Sequence, residues 1–166
     1  MNPHSNLQSD ARTNARHTNA RRRVALVLGG LLAAGTVSMA ATSSASAAPC
    51  IGKKIYANQN GQTLNGTCGA DTFYVGQYKT VFVYAGGGDD TVKVGWGGGK
   101  VEVYGGSGND YIHNGGDKQV IAYGESGNDT LLGGSFTDQL HGGSGTDTAY
   151  VGAGDTTSSI EKVYSN

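Results

Sequence analysis

Proline is nearly missing from this chain, with 2 in 166 residues, and large apolar side chains are scarce, with 3 phenylalanines and 1 tryptophan. Charged residues make up only 15%. Beyond Arg23 there is no arginine at all. A chain without arginine and with few lysines is a poor match for a phosphate backbone, so nucleic-acid binding is excluded. What the chain has instead is glycine, 29 residues of it. That is too much for a helical bundle, and it lacks the every-third period of collagen. The glycines therefore punctuate something else, and their period is the question.

The first 47 residues have the three-part layout of a secretory leader. Arg12, Arg16, Arg21, Arg22 and Arg23 form a basic start, Val24 to Ala34 an apolar run, and Ser43 to Ala48 a tail of small residues. Ala45 and Ala47 satisfy the small-x-small rule, which places cleavage after Ala47. Gly29, Gly30 and Gly35 interrupt the apolar run, which argues against a membrane anchor. Without this segment the chain keeps 7 lysines against 12 acidic residues, a net charge of −5. Such a chain is suited to cations. Export also places Cys50 and Cys68 in an oxidising compartment, where one disulfide closing a short loop is expected. A loop of that size stabilises by about 3 kcal/mol in the chain-entropy picture.

Self-similarity supplies the period. Gly105-Gly106-Ser107-Gly108-Asn109-Asp110-Tyr111-Ile112-His113 fits the pattern G-G-x-G-x-D-x-U-x, with U apolar. Weaker copies begin at Gly66, Ala85, Gly124 and Gly142. Each carries its aspartate six places in, at Asp71, Asp90, Asp129 and Asp147. The starts at 66, 85, 105, 124 and 142 are spaced by 19, 20, 19 and 18 residues, or two nonapeptides per turn. A degenerate half lies between the strong copies. Its own aspartate place holds Gln62, Val81, Val101 and Val120, and only Asp138 keeps the carboxylate. Short alternating β-branched runs such as Thr80 to Val83 and Lys100 to Val103 read as strands.

This pattern resembles the RTX (repeats-in-toxin) calcium-binding family over residues 66–150. The resemblance implies an all-β fold, a parallel β-roll (a right-handed solenoid) of about five turns with short caps. It also implies Ca²⁺ between adjacent loops, held by the motif aspartates of successive turns and by loop carbonyls. Carried over, the ligand residues are Asp71, Gly86, Gly88, Asp90, Gly105, Gly106, Gly108, Asp110, Gly124, Gly127, Asp129, Gly142, Gly145 and Asp147, with up to four ions between five loops. The physical reason is direct. Stacked turns bring equivalent aspartates to about one strand spacing, ~4.8 Å. Bare carboxylates that close repel. A hard cation that takes 6–8 oxygens relieves the conflict. Glycine allows the loop backbone to reach positive φ and turn carbonyls toward the ion. Thr67, Ala85 and Glu125 stand at glycine places and depart from the pattern.

The organisation expected is a leader over 1–47, an N-terminal cap with the disulfide over 48–65, the roll over 66–151 and a C-terminal cap over 152–166. Phe73, Val92, Ile112, Leu131 and Ala149 form one inward ladder, and Leu64, Val83, Val103, Ala122 and Leu140 the other. So slight a core implies that Ca²⁺ and folding are linked, with a secreted, extracellular chain folding outside the cell. No zinc-protease helix and no nucleophile elbow is visible, so no enzyme is expected. His113 and His141 lack the partners of a zinc site. Tyr84, Tyr104 and Tyr123 stand in one column, which reads as cross-strand stacking. The alternative is an adhesion module that contacts a glycan or protein through this column and Trp96, with Ca²⁺ serving only the scaffold.

Overall fold

The computed structural model describes residues 49–165. The leader expected over 1–47 lies outside them. No helix among the described residues is long and apolar enough to cross a membrane. Thirteen short strands alternate between two parallel sheets. One sheet holds β1 (Lys54–Tyr56), β3 (Thr72–Val75), β5 (Thr91–Val94), β7 (Tyr111–Asn114), β9 (Thr130–Leu132), β11 (Thr148–Val151) and β13 (Lys162–Ser165) in that order. The other holds β2 (Thr63–Thr67), β4 (Val81–Gly87), β6 (Lys100–Ser107), β8 (Gln119–Ser126), β10 (Gln139–Ser144) and β12 (Thr156–Ser158). Every neighbouring pair is parallel. The chain is a β-solenoid, with each turn contributing one strand to each sheet.

The period-2 pattern decides which side chains go in. Along β4, Val81, Val83 and Ala85 are buried while Tyr84 and Gly86 are exposed. Both ladders read from the sequence form as expected. Phe73, Val92, Ile112, Leu131 and Ala149 pair in register, as do Leu64, Val83, Val103, Ala122 and Leu140, and none exceeds 3% exposure. Full burial of each medium-sized side chain contributes about 1.5–3 kcal/mol. The core is thin, two full-length ladders flanked by shorter rows such as Val81, Val101 and Val120.

The solenoid runs longer than the five turns counted from the motifs, reaching about six. The segments read as caps supply the difference. Lys54 pairs with Thr72 and Thr148 with Lys162, so β1 and β13 extend one sheet at both ends. Thr156 pairs with Gln139, so β12 extends the other. These end strands carry no motif, and the stacking of backbone on backbone is enough to propagate the coil. Ile55 and Ile160 pack against the core ends. Cys50 and Cys68 are joined as expected, across 18 residues of sequence.

Candidate metal centre

The motif loops all lie on one edge of the solenoid, where the chain leaves the β2 sheet and enters the β1 sheet. Each loop sits directly over the next. Gly88 N–H donates to the Ser107 carbonyl at 2.8 Å, and Gly108 and Gly127 N–H donate likewise to Ser126 and Ser144 at 2.9 Å. Asp71, Asp90, Asp110, Asp129 and Asp147 stand in one column, and none is more than 2% exposed. Each carboxylate is tied to the turn before it. Asp71 N–H donates to Asp90 Oδ1 at 2.6 Å, and the N–H groups of Asp90, Asp110 and Asp129 donate to Oδ1 of Asp110, Asp129 and Asp147 at 2.8 Å. Outside this column runs a second row, in which Asn109, Asn128 and Thr146 N–H donate to the side-chain oxygens of Asp89, Asn109 and Asn128 at 2.7–2.8 Å. Sequence reading missed that row, although Asn-Asp at 109–110 and 128–129 marks it.

The second carboxylate oxygens separate the rungs. Oδ2 of Asp90, Asp110, Asp129 and Asp147 is buried with no hydrogen-bond partner. Asp71 differs, because Thr67 donates to its Oδ2 through both N–H and Oγ1. A buried ionised oxygen without a partner is strongly disfavoured. The protonation balance shows it. Burial pushes Asp110 up to about 7, with the neighbouring Asp129 and Asp90 carboxylates adding to the rise and the Asp90 N–H opposing it. Burial likewise pushes Asp90 up to about 6 and raises Asp129.

The motif glycines have two distinct duties. The first glycine leaves room beside the orphaned oxygen. A Cβ on Gly105 would lie 2.3 Å from Asp110 Oδ2 and 2.8 Å from the Gly124 carbonyl of the next turn. On Gly124 it would lie 2.2 Å from Asp129 Oδ2 and 2.6 Å from the Gly142 carbonyl. Carboxylate and carbonyl thus converge on a space that only glycine leaves open. The second and fourth glycines supply left-handed backbone instead, as at Gly106 (φ +106°) and Gly108 (φ +126°). Gly86, Gly88, Gly127 and Gly145 share that conformation. Glu125 takes the second place in its loop with φ +74°, so this departure from the pattern preserves the loop shape at the cost of strain. Ala85 is fully buried at a first place, where its methyl group narrows the space beside Asp90.

The donor set fits Ca²⁺. Among the described residues no three His, Cys, Asp or Glu side chains converge. An ion on this edge must therefore draw on backbone carbonyls, which suits a hard cation and not Zn²⁺. A bound ion would supply positive charge between rungs that repel.

The far edge has a different chemistry. Val81, Val101 and Val120 occupy the ligand places, as read, and are fully buried. Asp138 takes the place after Val120, accepting its N–H at 2.6 Å. The sequence reading found no further carboxylate there, but Asp155 stands on the next turn and accepts Asp138 N–H at 2.8 Å. Its copy lies in the segment read as a cap, which hid it. Oδ2 of Asp138 accepts from Gly134 N–H and Asn114 Nδ2, and Oδ2 of Asp155 from Gly152 N–H. The glycine loop at 97–99 is pinned by Asp117, which accepts from Gly97 and Gly98 N–H, and Lys118 Nζ donates to the Trp96 carbonyl at 2.8 Å. Backbone N–H groups and the Asn114 amide satisfy these carboxylates, where the near edge leaves oxygens open.

The tyrosine column is a cross-strand stack. Ring centroids are 4.8 Å apart for Tyr84 and Tyr104 and 4.9 Å for Tyr104 and Tyr123, and His141 continues the column at 4.8 Å, with planes within 11°. Rings stacked face to face along the solenoid present edges to solvent. A sugar platform needs an open ring face, which the inner rings lack. Trp96 is exposed on the far edge, away from this column.

The family of RTX calcium-binding nonapeptide repeats, in four copies, matches residues 81–101, 97–118 and 123–157. No curated protein and no solved structure matches the chain. The matched stretch holds the rungs from Asp90 to Asp147, and its repeats coil as that family's repeats do. By motif, register and parallel coil together, the repeats over these residues are RTX-type calcium-binding nonapeptide repeats, and the described chain folds as an RTX-type β-roll.

Proposed function

We propose that this protein is an exported calcium-binding β-roll whose folding is driven by Ca²⁺ along one edge. The observation that carries the reading is the run of buried Oδ2 atoms without partners on successive rungs. The motif sites lie between the loops of Asp90 and Asp110, of Asp110 and Asp129, and of Asp129 and Asp147. The carbonyls of the glycine loops complete each shell. Between Asp71 and Asp90, Thr67 takes the ion's role by donating hydrogen bonds to Asp71.

Energetics supports the coupling to folding. At the ~4.8 Å spacing of strands, two unit charges repel by about 3 kcal/mol at an effective dielectric of 20. One hydrogen bond returns roughly 1 kcal/mol. The metal-free roll therefore works against its own edge, and its thin core leaves little surplus stability. An ion that binds only the folded state shifts the balance by mass action. Extracellular Ca²⁺ modules bind at about 10⁻⁴–10⁻³ M, so such sites stay empty inside a cell and fill outside. The leader read over residues 1–47, with cleavage after Ala47, and the disulfide agree with that route. The test is far-UV circular dichroism and isothermal titration on the chain from Ala48 onward. Spectra with much less β-sheet in EGTA than in millimolar Ca²⁺ are expected, the metal-free roll being only marginally stable. Identical spectra together with no binding heat would overturn the proposal.

A further inference from the structure

The motif repeats end at Asp147, and the last motif loop has no motif loop after it. Yet Asp147 behaves as an inner rung. It is fully buried, and its Oδ2 has no partner, as for Asp90, Asp110 and Asp129. We propose that the terminal turn closes one more Ca²⁺ site, off the repeat motif, from Asp147 Oδ2, the Ser159 carbonyl and the Glu161 carboxylate. This rests on the reading that the inner aspartate rungs hold Ca²⁺.

Three observations converge on the site. A Cβ on Gly142 would lie 2.4 Å from Asp147 Oδ2 and 2.1 Å from the Ser159 carbonyl. At Gly105 and Gly124 the same space is bounded by the aspartate Oδ2 of the same turn and the first-glycine carbonyl of the next. Ser159 thus presents its carbonyl where Gly124 and Gly142 present theirs. Glu161 completes the correspondence. Its Oε2 accepts Asp147 N–H at 2.7 Å, the bond that every motif aspartate makes to the rung before it. The loop from Ser159 to Glu161 is shorter than the motif loop from Gly142 to Asp147. The extra methylene of glutamate restores the reach that the shorter loop gives up. The Asp147 carboxylate with its buried orphaned oxygen, the Glu161 carboxylate and the Ser159 carbonyl are oxygen donors only, which suits Ca²⁺.

Native mass spectrometry and Ca²⁺ titration of the wild type, Glu161→Gln and Asp110→Asn separate the outcomes. The glutamine keeps an acceptor for Asp147 N–H and removes the charge. Glu161→Gln is expected to bind one ion fewer than the wild type, with the remaining sites unchanged. Full stoichiometry and affinity in Glu161→Gln, with a deficit in Asp110→Asn, would overturn the terminal site alone. No deficit in either variant, with no ions bound to the wild type, would sink the underlying reading. Should Glu161→Gln fail to fold, ¹H–¹⁵N spectra of the wild type decide. Movement of the Asp147, Ile160 and Glu161 amides during the Ca²⁺ titration supports the site. Fixed terminal amides while those of Asp110 and Asp129 move would refute it.

Discussion

Asp90 donates its backbone N–H to Asp110 Oδ1 at 2.8 Å, one full turn away, while Asp110 Oδ2 faces a glycine-lined space with no partner. One oxygen of the carboxylate builds the solenoid, and the other is the one the proposed ion would engage. Asp110→Asn separates these duties. The asparagine oxygen keeps the Asp90 N–H, and its amide group brings a donor toward the Gly124 carbonyl. The variant is expected to melt at or above the wild-type temperature in EGTA, because a buried charge is gone. In Ca²⁺ it is expected to melt below the wild type and to bind more weakly. Thermal melts in both conditions check this. A variant less stable than the wild type in EGTA would show that the charge itself supports the metal-free fold.

Acid should stabilise the metal-free roll. The folded-state values of Asp90 and Asp110, about 6 and about 7, lie above the ordinary 3.8 of an unfolded aspartate. A raised carboxyl contributes stability that is fully present below the unfolded value and is lost as pH rises through the folded one. In EGTA, stability is therefore expected to climb as pH falls from about 8 to about 5. Ca²⁺ affinity should move the other way, because protons compete for the same oxygens. Denaturant melts at pH 5 and pH 8 check the sign, and a metal-free chain more stable at pH 8 would contradict it.

Glycine positions should divide sharply by duty. Gly124→Ala places a methyl group 2.2 Å from the buried Asp129 Oδ2 and 2.6 Å from the Gly142 carbonyl, which is backbone. A loss of at least about 2 kcal/mol is expected, as for overpacked cores, with weakened Ca²⁺ binding. Gly76→Ala meets nothing within 4 Å and is expected to stay within about 0.5 kcal/mol of the wild type. Equal effects at the two positions would show that composition, not the open space beside the rung, is what the roll requires.

The fold was readable because the solenoid writes its period into the chain. Val83, Val103 and Ala122 recur at the spacing that stacks them, and the buried rows follow that register. What the sequence hid were contacts that break the period. Glu161 lies 14 residues after Asp147 and carries no glycine motif, so no repeat count finds it, yet the backbone register delivers it to the rung. Asp155 escaped for the same reason. Lys118, which no motif place marks, is fully buried and donates its ammonium to the Trp96 carbonyl at 2.8 Å. Motif position locates the stacked aspartate rungs only where the turn length stays near 18 to 20 residues.

Thr67 offers the final test, because it stands where Gly86, Gly106 and Gly143 adopt φ of +110°, +106° and +112°. Positive φ among the described non-glycine residues occurs at Thr80, Glu125 and Ser159, not at Thr67. Its backbone N–H and hydroxyl instead turn onto Asp71 Oδ2 and satisfy it. Thr67→Gly removes the hydroxyl and opens the left-handed conformation to the loop. Asp71 should then join the other rungs. The variant is expected to bind one Ca²⁺ more than the wild type by native mass spectrometry, and to lose about 1 kcal/mol of stability in EGTA as the hydroxyl donor goes. Both effects follow from the hydroxyl leaving Asp71 Oδ2 and the freed backbone turning its N–H off that oxygen, as the loops of Asp90 and Asp110 do. A stoichiometry equal to the wild type's would mean that the Cys50–Cys68 link, next to Thr67, rather than the threonine, holds this turn away from the ion ladder.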